Sequence, residues 1–162
     1  MSPVLTQTTT IRPITDEDLD TIVEINQDAL EGVGPLDRAA TAALVEMADD
    51  ALVMTDDGDI AGFVITLPPG VAYDSTRYRW FDEYFETSEY VYLDRIVVSA
   101  DHRRKGVASK LYDAIEGEKP IGLEVYDHND ASLAFHSGRG FEEVGMLAEG
   151  GPVNIMMVRP GD

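Results

Sequence analysis

The sequence predicts a mixed α/β sandwich with one parallel or splayed pair of strands. Three observations lead to this prediction: apolar β-branched segments alternate with segments of helical periodicity, a hairpin signature follows the first two helices, and two strand–helix units come near the end of the chain. With 162 residues, of which 44% are apolar, the chain has the size and the core of one ordinary domain. We therefore expect a single domain over residues 1–162.

The first part of the chain predicts a strand and two helices. Residues 1–10 are polar and rich in threonine, and we expect them to be flexible. A short strand follows at residues 11–14, and Thr15 with Asp18 three residues later caps a helix that ends near Gly32. Apolar residues on one face predict the second helix, namely Leu36, Ala40, Ala43, Leu44 and Met47.

A hairpin and an aromatic segment make up the middle of the chain. Two β-branched strands, at residues 51–55 and 60–67, are separated by the turn sequence of residues 56–59. Residues 71–89 form an insertion that, together with Tyr90, holds seven of the thirteen aromatic residues. Such a density predicts an ordered, packed segment, which would either wall a substrate pocket or pack against the sheet.

The last part of the chain completes the predicted sheet. Residues 90–99 form an apolar strand, and a helix follows with Val107, Leu111, Ala114 and Ile115 on one face. Strands are predicted at residues 120–126, 141–146 and 153–158, with a short helix at 129–137. Met156 and Met157 are expected in the core.

The formal charge of −19 restricts the partners of the protein. Phosphate attraction dominates binding to nucleic acids and anionic membranes, so we expect neither as a partner, and a cationic ligand is mildly favoured. No segment approaches the ~18 apolar residues that cross a bilayer, and residues 1–10 lack the layout of a secretory signal. We therefore expect a soluble, cytoplasmic protein. The lack of cysteine excludes disulfides, thiolate zinc sites and a cysteine nucleophile.

A basic turn with one glycine, placed between a strand and a helix, is the most informative feature. His102, Arg103, Arg104 and Lys105 follow the strand, and Gly106 precedes the helix. Successive backbone N–H groups and the positive end of a helix make an anion site there, most naturally for phosphate. The alternative is a basic run that merely solvates a helix end. The turn lacks the glycines and the Lys-Ser/Thr pair of a P-loop or a dinucleotide fingerprint.

This turn resembles the pyrophosphate loop of the GNAT superfamily of N-acetyltransferases. Arg103, Gly106 and Ala108 match the family pattern Arg or Gln-x-x-Gly-x-Gly or Ala. The resemblance implies a mostly antiparallel central sheet with helices on both faces and a pair of strands that splays at the cofactor.

A second motif supports the resemblance. Asn129 precedes Ser132 by three residues, Phe135 by six and the pair Gly140 and Phe141 by eleven and twelve, as in the second cofactor motif of the family. The two motifs occur in the expected order along the chain.

The resemblance implies acetyl-CoA or another acyl-CoA as the cofactor. Val97 and Val98 would pair with its pantetheine arm through backbone hydrogen bonds, and amides from Arg104 to Ser109 would hold the pyrophosphate. The full set of implied cofactor contacts is Ile96, Val97, Val98, Arg103, Arg104, Lys105, Gly106, Val107, Ala108, Ser109, Asn129, Ser132, Phe135 and His136.

The reaction implied by the resemblance is direct attack of an amine on the thioester. It requires a deprotonated amine, a donor for the oxyanion and a proton for the departing thiolate. The Val98 N–H is the candidate oxyanion donor. His136 stands where the family has a tyrosine proton donor, and the acidic surroundings should favour its charged, donating form. A hydrogen bond to the cofactor sulfur or a structural role is the alternative.

Asp94 is the first candidate for the general base, because it interrupts an apolar strand four residues before Val98. A structural ion pair is the alternative for Asp94, and Glu89 and Glu124 are weaker candidates for the base. His102 and His128 are expected at the surface. The histidines and acids show no tight ligand spacing, so no metal site is predicted.

The sequence thus predicts an N-acyltransferase that moves an acetyl or other acyl group from acyl-CoA to a primary amine of a small molecule or peptide. A catalytically degenerate acyl-CoA-binding module, acting as a sensor or partner of another protein, is the alternative. A phosphate-binding fold unrelated to CoA is a third interpretation. The acceptor and the oligomeric state stay open, and a homodimer is compatible with the sequence.

Overall fold

A computed structural model describes residues 8–30, 33–86 and 88–162. The strands and α-helices of this part of the chain are β1 (Thr9–Pro13), α1 (Leu19–Gln27), α2 (Arg38–Met47), β2 (Asp50–Asp56), β3 (Asp59–Leu67), α3 (Thr76–Phe85), β4 (Val91–Val98), α4 (Val107–Ile115), β5 (Ile121–Tyr126), α5 (Asp130–Gly138), β6 (Glu142–Ala148) and β7 (Val153–Arg159). None of these helices has the length and apolar character that crossing a membrane requires.

The strands form one open sheet in the order β1-β2-β3-β4-β5-β7-β6, flanked by helices. The pairs β1–β2, β5–β7 and β6–β7 are antiparallel. Strands β4 and β5 are parallel, with Val91 opposite Ile121 and Tyr92 opposite Gly122. The predicted mixed α/β fold is therefore confirmed, and β4 with β5 is a parallel pair.

The chain groups into two compact units, formed by Met1–Ile65 with Arg95–Ile115 and by Thr66–Asp94 with Glu116–Asp162. In the first unit, Leu19 and Ile22 of α1 are 4% and 0% exposed, so these two apolar side chains of the helix lie in the core, whereas Leu30, beyond its end, is 46% exposed. The predicted cap before α1 is also present, because Thr15 and Asp18 form a capping box.

Strand β1 begins two residues earlier than predicted. Thr9 and Thr10, expected in the flexible segment, instead lie opposite Asp56 and Thr55 of β2. The hydroxyls of Thr10 and Thr55 are 2.6 Å apart, so a hydrogen bond between polar side chains stabilises the pairing of β1 with β2. The prediction missed these residues of the strand because it relied on apolar residues. The rest of that prediction, for residues 1–7, lies outside the described residues.

Helix α1 ends five residues earlier than predicted because its last side chains bind the chain that follows. The Asn26 amide donates to the Gly34 carbonyl at 3.0 Å, and the Gln27 side chain accepts from the Leu36 N–H at 2.9 Å. Arg95 of β4 donates to the Asn26 side chain at 3.0 Å and to the Gly34 carbonyl at 2.9 Å. This polar network joins the end of α1 and residues 34–36 to β4.

The aromatic insertion in the second unit contains helix α3, which the sequence interpretation did not predict. Its side chains lie against two glycines. A Cβ atom at Gly122 would come within 2.7 Å of the Phe81 ring, and one at Gly145 within 2.6 Å of Trp80. For residues 71–86, the prediction of an ordered, packed segment is confirmed, and so is the burial of Met156 and Met157.

Candidate active site

Strand β4 carries three of the predicted site residues on one face. Leu93, Arg95 and Val97 are buried, whereas Asp94, Ile96 and Val98 are only half-buried. Successive side chains of a strand point to opposite faces. Asp94, Ile96 and Val98 therefore share one face of β4, and this face is more accessible than the face of Leu93, Arg95 and Val97.

The basic turn of the first unit has an unusual backbone conformation. Arg104 and Gly106 have φ angles of 65° and 78°, in the left-handed region. Left-handed residues in a short turn make successive N–H groups converge, and the first amides of α4, beginning at Val107, have no acceptor within the helix. Apart from its own chain neighbours, no atom lies within 4 Å of a Cβ built on Gly106, so the space beside it is open. The exposed cations and open turn fit a diphosphate.

The beginning of this turn is tied to the end of β2. The Ser99 hydroxyl lies 2.7 Å from Nδ1 of His102, and Nε2 of His102 lies 3.5 Å from a carboxylate oxygen of Asp56. The His102 side chain is only 15% exposed, so its predicted surface position is wrong. The contact with the Asp56 carboxylate keeps the His102 imidazole close to the protein surface rather than extended into solvent. His128, at 68% exposure, is at the surface as predicted.

Asp94 belongs to the second unit and contacts the aromatic insertion. The Tyr73 hydroxyl donates to its Oδ1 atom at 2.6 Å. Asp94 is half-buried and lies on the same face of β4 as Tyr92. The candidate base therefore has a neutral hydrogen-bond donor from the insertion.

Glu124 of β5 is held by two donors. The Tyr92 hydroxyl lies 2.7 Å from its Oε1 atom and 3.0 Å from Oε2, and Nε of Arg77 lies 3.0 Å from Oε1. The carboxylate is only 14% exposed. Burial raises the pKa of Glu124 to about 7, against the lowering effect of Tyr92 and Arg77. A carboxylate with this pKa can exchange a proton near neutral pH.

His136 is buried in helix α5 between aromatic rings. Its Nδ1 atom lies 2.8 Å from the Ser132 carbonyl, so this nitrogen carries a proton and donates. The rings of Phe135 and Phe141 meet it edge-on, each at 5.3 Å between centroids. Burial, and then the charge of Arg139, lower the pKa of His136. The expectation that acidic surroundings favour its charged form is therefore wrong.

The spacing of Asn129 and Ser132 in the second motif is explained by the start of helix α5. Asn129 is the N-cap of α5, and its side-chain oxygen accepts from the Ser132 N–H at 3.1 Å. The three-residue spacing between these two residues is the spacing of a helix cap. Phe135, at 36% exposure, stays accessible to a ligand.

Residues 19–141 match the model of the acetyltransferase (GNAT) family. The chain belongs to the GNAT family. No curated protein matches the sequence significantly.

Solved GNAT structures show the same fold. Ard1 from Thermoplasma volcanium has 22% identity and a TM-score of 0.72, with 94% of this chain and 97% of that chain covered. The ribosomal-protein-S18-alanine N-acetyltransferase from Escherichia coli has 24% identity and a TM-score of 0.68, with 94% of both chains covered. The structure of yncA from Salmonella typhimurium, solved with acetyl-CoA, has 19% identity and a TM-score of 0.65, with 95% and 94% covered.

The two units divide the predicted GNAT site residues. The first unit contains Ile96, Val97, Val98, Arg103, Arg104, Lys105, Gly106, Val107, Ala108 and Ser109, and the second contains Asp94, Asn129, Ser132, Phe135 and His136. Sequence reasoning missed Tyr73, Arg77 and Tyr92, which contact the two candidate bases. The density of aromatic residues in the insertion was a signal for Tyr73, whereas Arg77 and Tyr92 gave none.

Proposed function

We propose that this protein is an acyl-CoA-dependent N-acyltransferase that transfers an acetyl or other acyl group to a primary amine of a small molecule or peptide in the cytoplasm. One observation carries the proposal: in a chain of the GNAT family, the turn before α4 is left-handed at Arg104 and Gly106 and is lined by exposed cations. This conformation is expected of a backbone that binds phosphate.

The first unit is proposed to hold the cofactor, which supplies an activated thioester when bound. Backbone amides between Arg104 and Ser109, with the side chains of Arg103 and Lys105, would bind the diphosphate. The backbone of Val97 and Val98 would bind the pantetheine arm, and the Val98 N–H would donate to the acyl carbonyl oxygen.

In the second unit we propose Glu124 as the general base, ahead of Asp94. An effective base has a pKa near the working pH, and the pKa of Glu124 is about 7. Asp94, with its hydrogen bond from Tyr73, is the alternative. His136 is proposed as a cofactor contact: its Nδ1 proton is directed to the Ser132 carbonyl, and its lowered pKa favours the neutral ring.

A second candidate function is an acyl-CoA-binding sensor without catalysis. The same observation on His136 favours it, because a neutral imidazole is a poor replacement for an acid that protonates a thiolate. Titration with coenzyme A by calorimetry, followed by incubation with acetyl-CoA and a panel of small amines and peptides with free amino termini, separates the functions. Release of free thiol that depends on an amine supports the enzyme. Binding without release across the panel supports the sensor, and no binding by folded protein rejects both.

Replacing Gly106 with alanine is expected to weaken coenzyme A binding about tenfold. The space for a methyl group is open, but the left-handed conformation costs a non-glycine residue roughly 1–2 kcal/mol. The free turn of the variant should therefore leave this conformation, and ligand binding would have to restore it. A cost of about 1.4 kcal/mol is a factor of ten in affinity. Calorimetry measures the change. Gly117→Ala is the matched control, since Gly117 also has open space but no positive φ. Equal affinities for both variants would exclude the turn as the diphosphate site.

A further inference from the structure

Helix α3 brings a cation to the candidate base. Arg77 lies in the first turn of α3, and its Nε atom contacts Oε1 of Glu124 at 3.0 Å. Its Nη1 atom contacts Glu149, in the connection between β6 and β7, at 3.4 Å. One guanidinium therefore links three parts of the second unit: the insertion, the central strand β5 and the β6–β7 connection.

This ion pair differs from an ordinary surface pair. The side chains of Arg77 and Glu124 are 37% and 14% exposed. Two residues later in α3, Arg79 pairs with Asp74 at a similar distance of 2.9 Å, but those side chains are 54% and 100% exposed. Exposed pairs contribute little because water screens them, whereas a carboxylate shielded from water responds strongly to a neighbouring charge.

The position of α3 is fixed by packing rather than by this ion pair. Gly122 and Glu124 are two residues apart on β5, so they share a face of the strand. Phe81 of α3 lies directly against Gly122, where no side chain could fit. The Phe81 ring also meets the Tyr92 ring at 5.8 Å between centroids. The same helix therefore contacts Tyr92 and carries Arg77 to Glu124.

We propose that Arg77 is the positioning residue of Glu124: its guanidinium orients the carboxylate and sets the pH range in which Glu124 accepts a proton. The catalytic meaning rests on the proposed function, whereas the effect on Glu124 does not. The groups that face Glu124 are Tyr92 and Asp94 from β4 and Arg77 from α3, with Glu149 behind Arg77. Arg77 is the one cation in this set. The shortest contacts of both donors are to Oε1, so Oε2, which accepts from Tyr92 at 3.0 Å, is the oxygen that would take the proton.

The test is a carbon-detected NMR titration of the intact protein labelled at the glutamate carboxyl carbons. The Glu124 signal is assigned by its loss in Glu124→Gln. In Arg77→Met, loss of the cation should raise the titration midpoint of Glu124 by about one pH unit. Arg79→Met, which removes the same charge from the same helix, should leave the midpoint unchanged. An unchanged midpoint in Arg77→Met, or equal shifts in both variants, would overturn the proposal.

A second variant separates charge from orientation and guards against misfolding. Arg77→Lys keeps the charge but loses the planar group, so the midpoint should stay close to wild type while kcat/KM for the best amine of the panel falls. In Arg77→Met, the acidic limb of the pH profile of kcat/KM should move to higher pH together with the NMR titration midpoint of Glu124. A midpoint raised in Arg77→Lys as far as in Arg77→Met would contradict a role for the charge. Failure of coenzyme A binding would reject the proposed function and leave the NMR result standing.

Discussion

Replacing Glu124 with glutamine should lower kcat/KM for amine acylation by about 10²–10⁴-fold, the usual contribution of a general base. The substitution keeps the shape of the side chain, and the amide oxygen can still accept from Tyr92 or Arg77. What is lost is the ability to take a proton near neutral pH. Initial rates of thiol release with acetyl-CoA and the best amine of the panel give the measurement.

The pH profile sharpens this expectation. With a pKa of about 7, Glu124 is increasingly protonated as the pH falls, so wild-type kcat/KM should decrease below about pH 7. The residual activity of Glu124→Gln should lack this limb. Asp94→Asn is the matched control, because it also neutralises a carboxylate beside a tyrosine hydroxyl. A larger loss in Asp94→Asn than in Glu124→Gln would transfer the role of base to Asp94.

Stability measurements distinguish a catalytic cause of the lower kcat/KM of Glu124→Gln from damage to the fold. The folded-state pKa of Glu124 is raised above its ordinary value of 4.5. Its contribution to stability is therefore fully present below that value and is lost as the pH rises through about 7. Glutamine carries no charge to bury, so Glu124→Gln should be at least as stable as the wild type at about pH 8. A lower Tm of the variant at that pH would indicate structural damage.

The local structure of the candidate site could be predicted where it depends on residues that are close in sequence. The strand, the turn with Gly106 and the helix after it are adjacent along the chain, so hydrophobic pattern and backbone preference locate them together. Asn129 and Ser132 are likewise close in sequence, and their spacing indicates a helix start. In such segments, the residues that contact each other are neighbours in the sequence, so the sequence pattern alone indicates the local structure.

The electrostatics of the site could not be predicted, because they depend on contacts between distant residues. Tyr92 and Glu124 are 32 residues apart in sequence, and nothing in either segment indicates that they meet. The charge state of His136 was predicted from composition, whereas its pKa is set by burial beside two phenylalanines and by Arg139. Helix α3 was missed because its residues pack on glycines of other strands, which the periodicity of one segment does not report.

Truncating Phe81 to alanine should have the largest effect on stability. The ring is 0% exposed and lies against Gly122, Tyr92 and Phe85. Removal of a buried phenylalanine ring costs about 3–5 kcal/mol, which for a chain of this size corresponds to a Tm lower by roughly 10 °C. Thermal unfolding measures the difference. Tyr84→Ala is the control, because Tyr84 lies on the same helix but is 46% exposed, and it should lower the Tm much less.

A double-mutant cycle tests the contact itself. In the wild type, Gly122→Ala should destabilise the protein by about 1–3 kcal/mol, because the new Cβ would lie 2.7 Å from the Phe81 ring. In the Phe81→Ala background that space is vacant, so the same substitution should cost little. The two changes should therefore be strongly non-additive, as expected for residues in contact. Additive effects would show that Phe81 does not rest on Gly122, and would remove the physical basis for holding Arg77 beside Glu124.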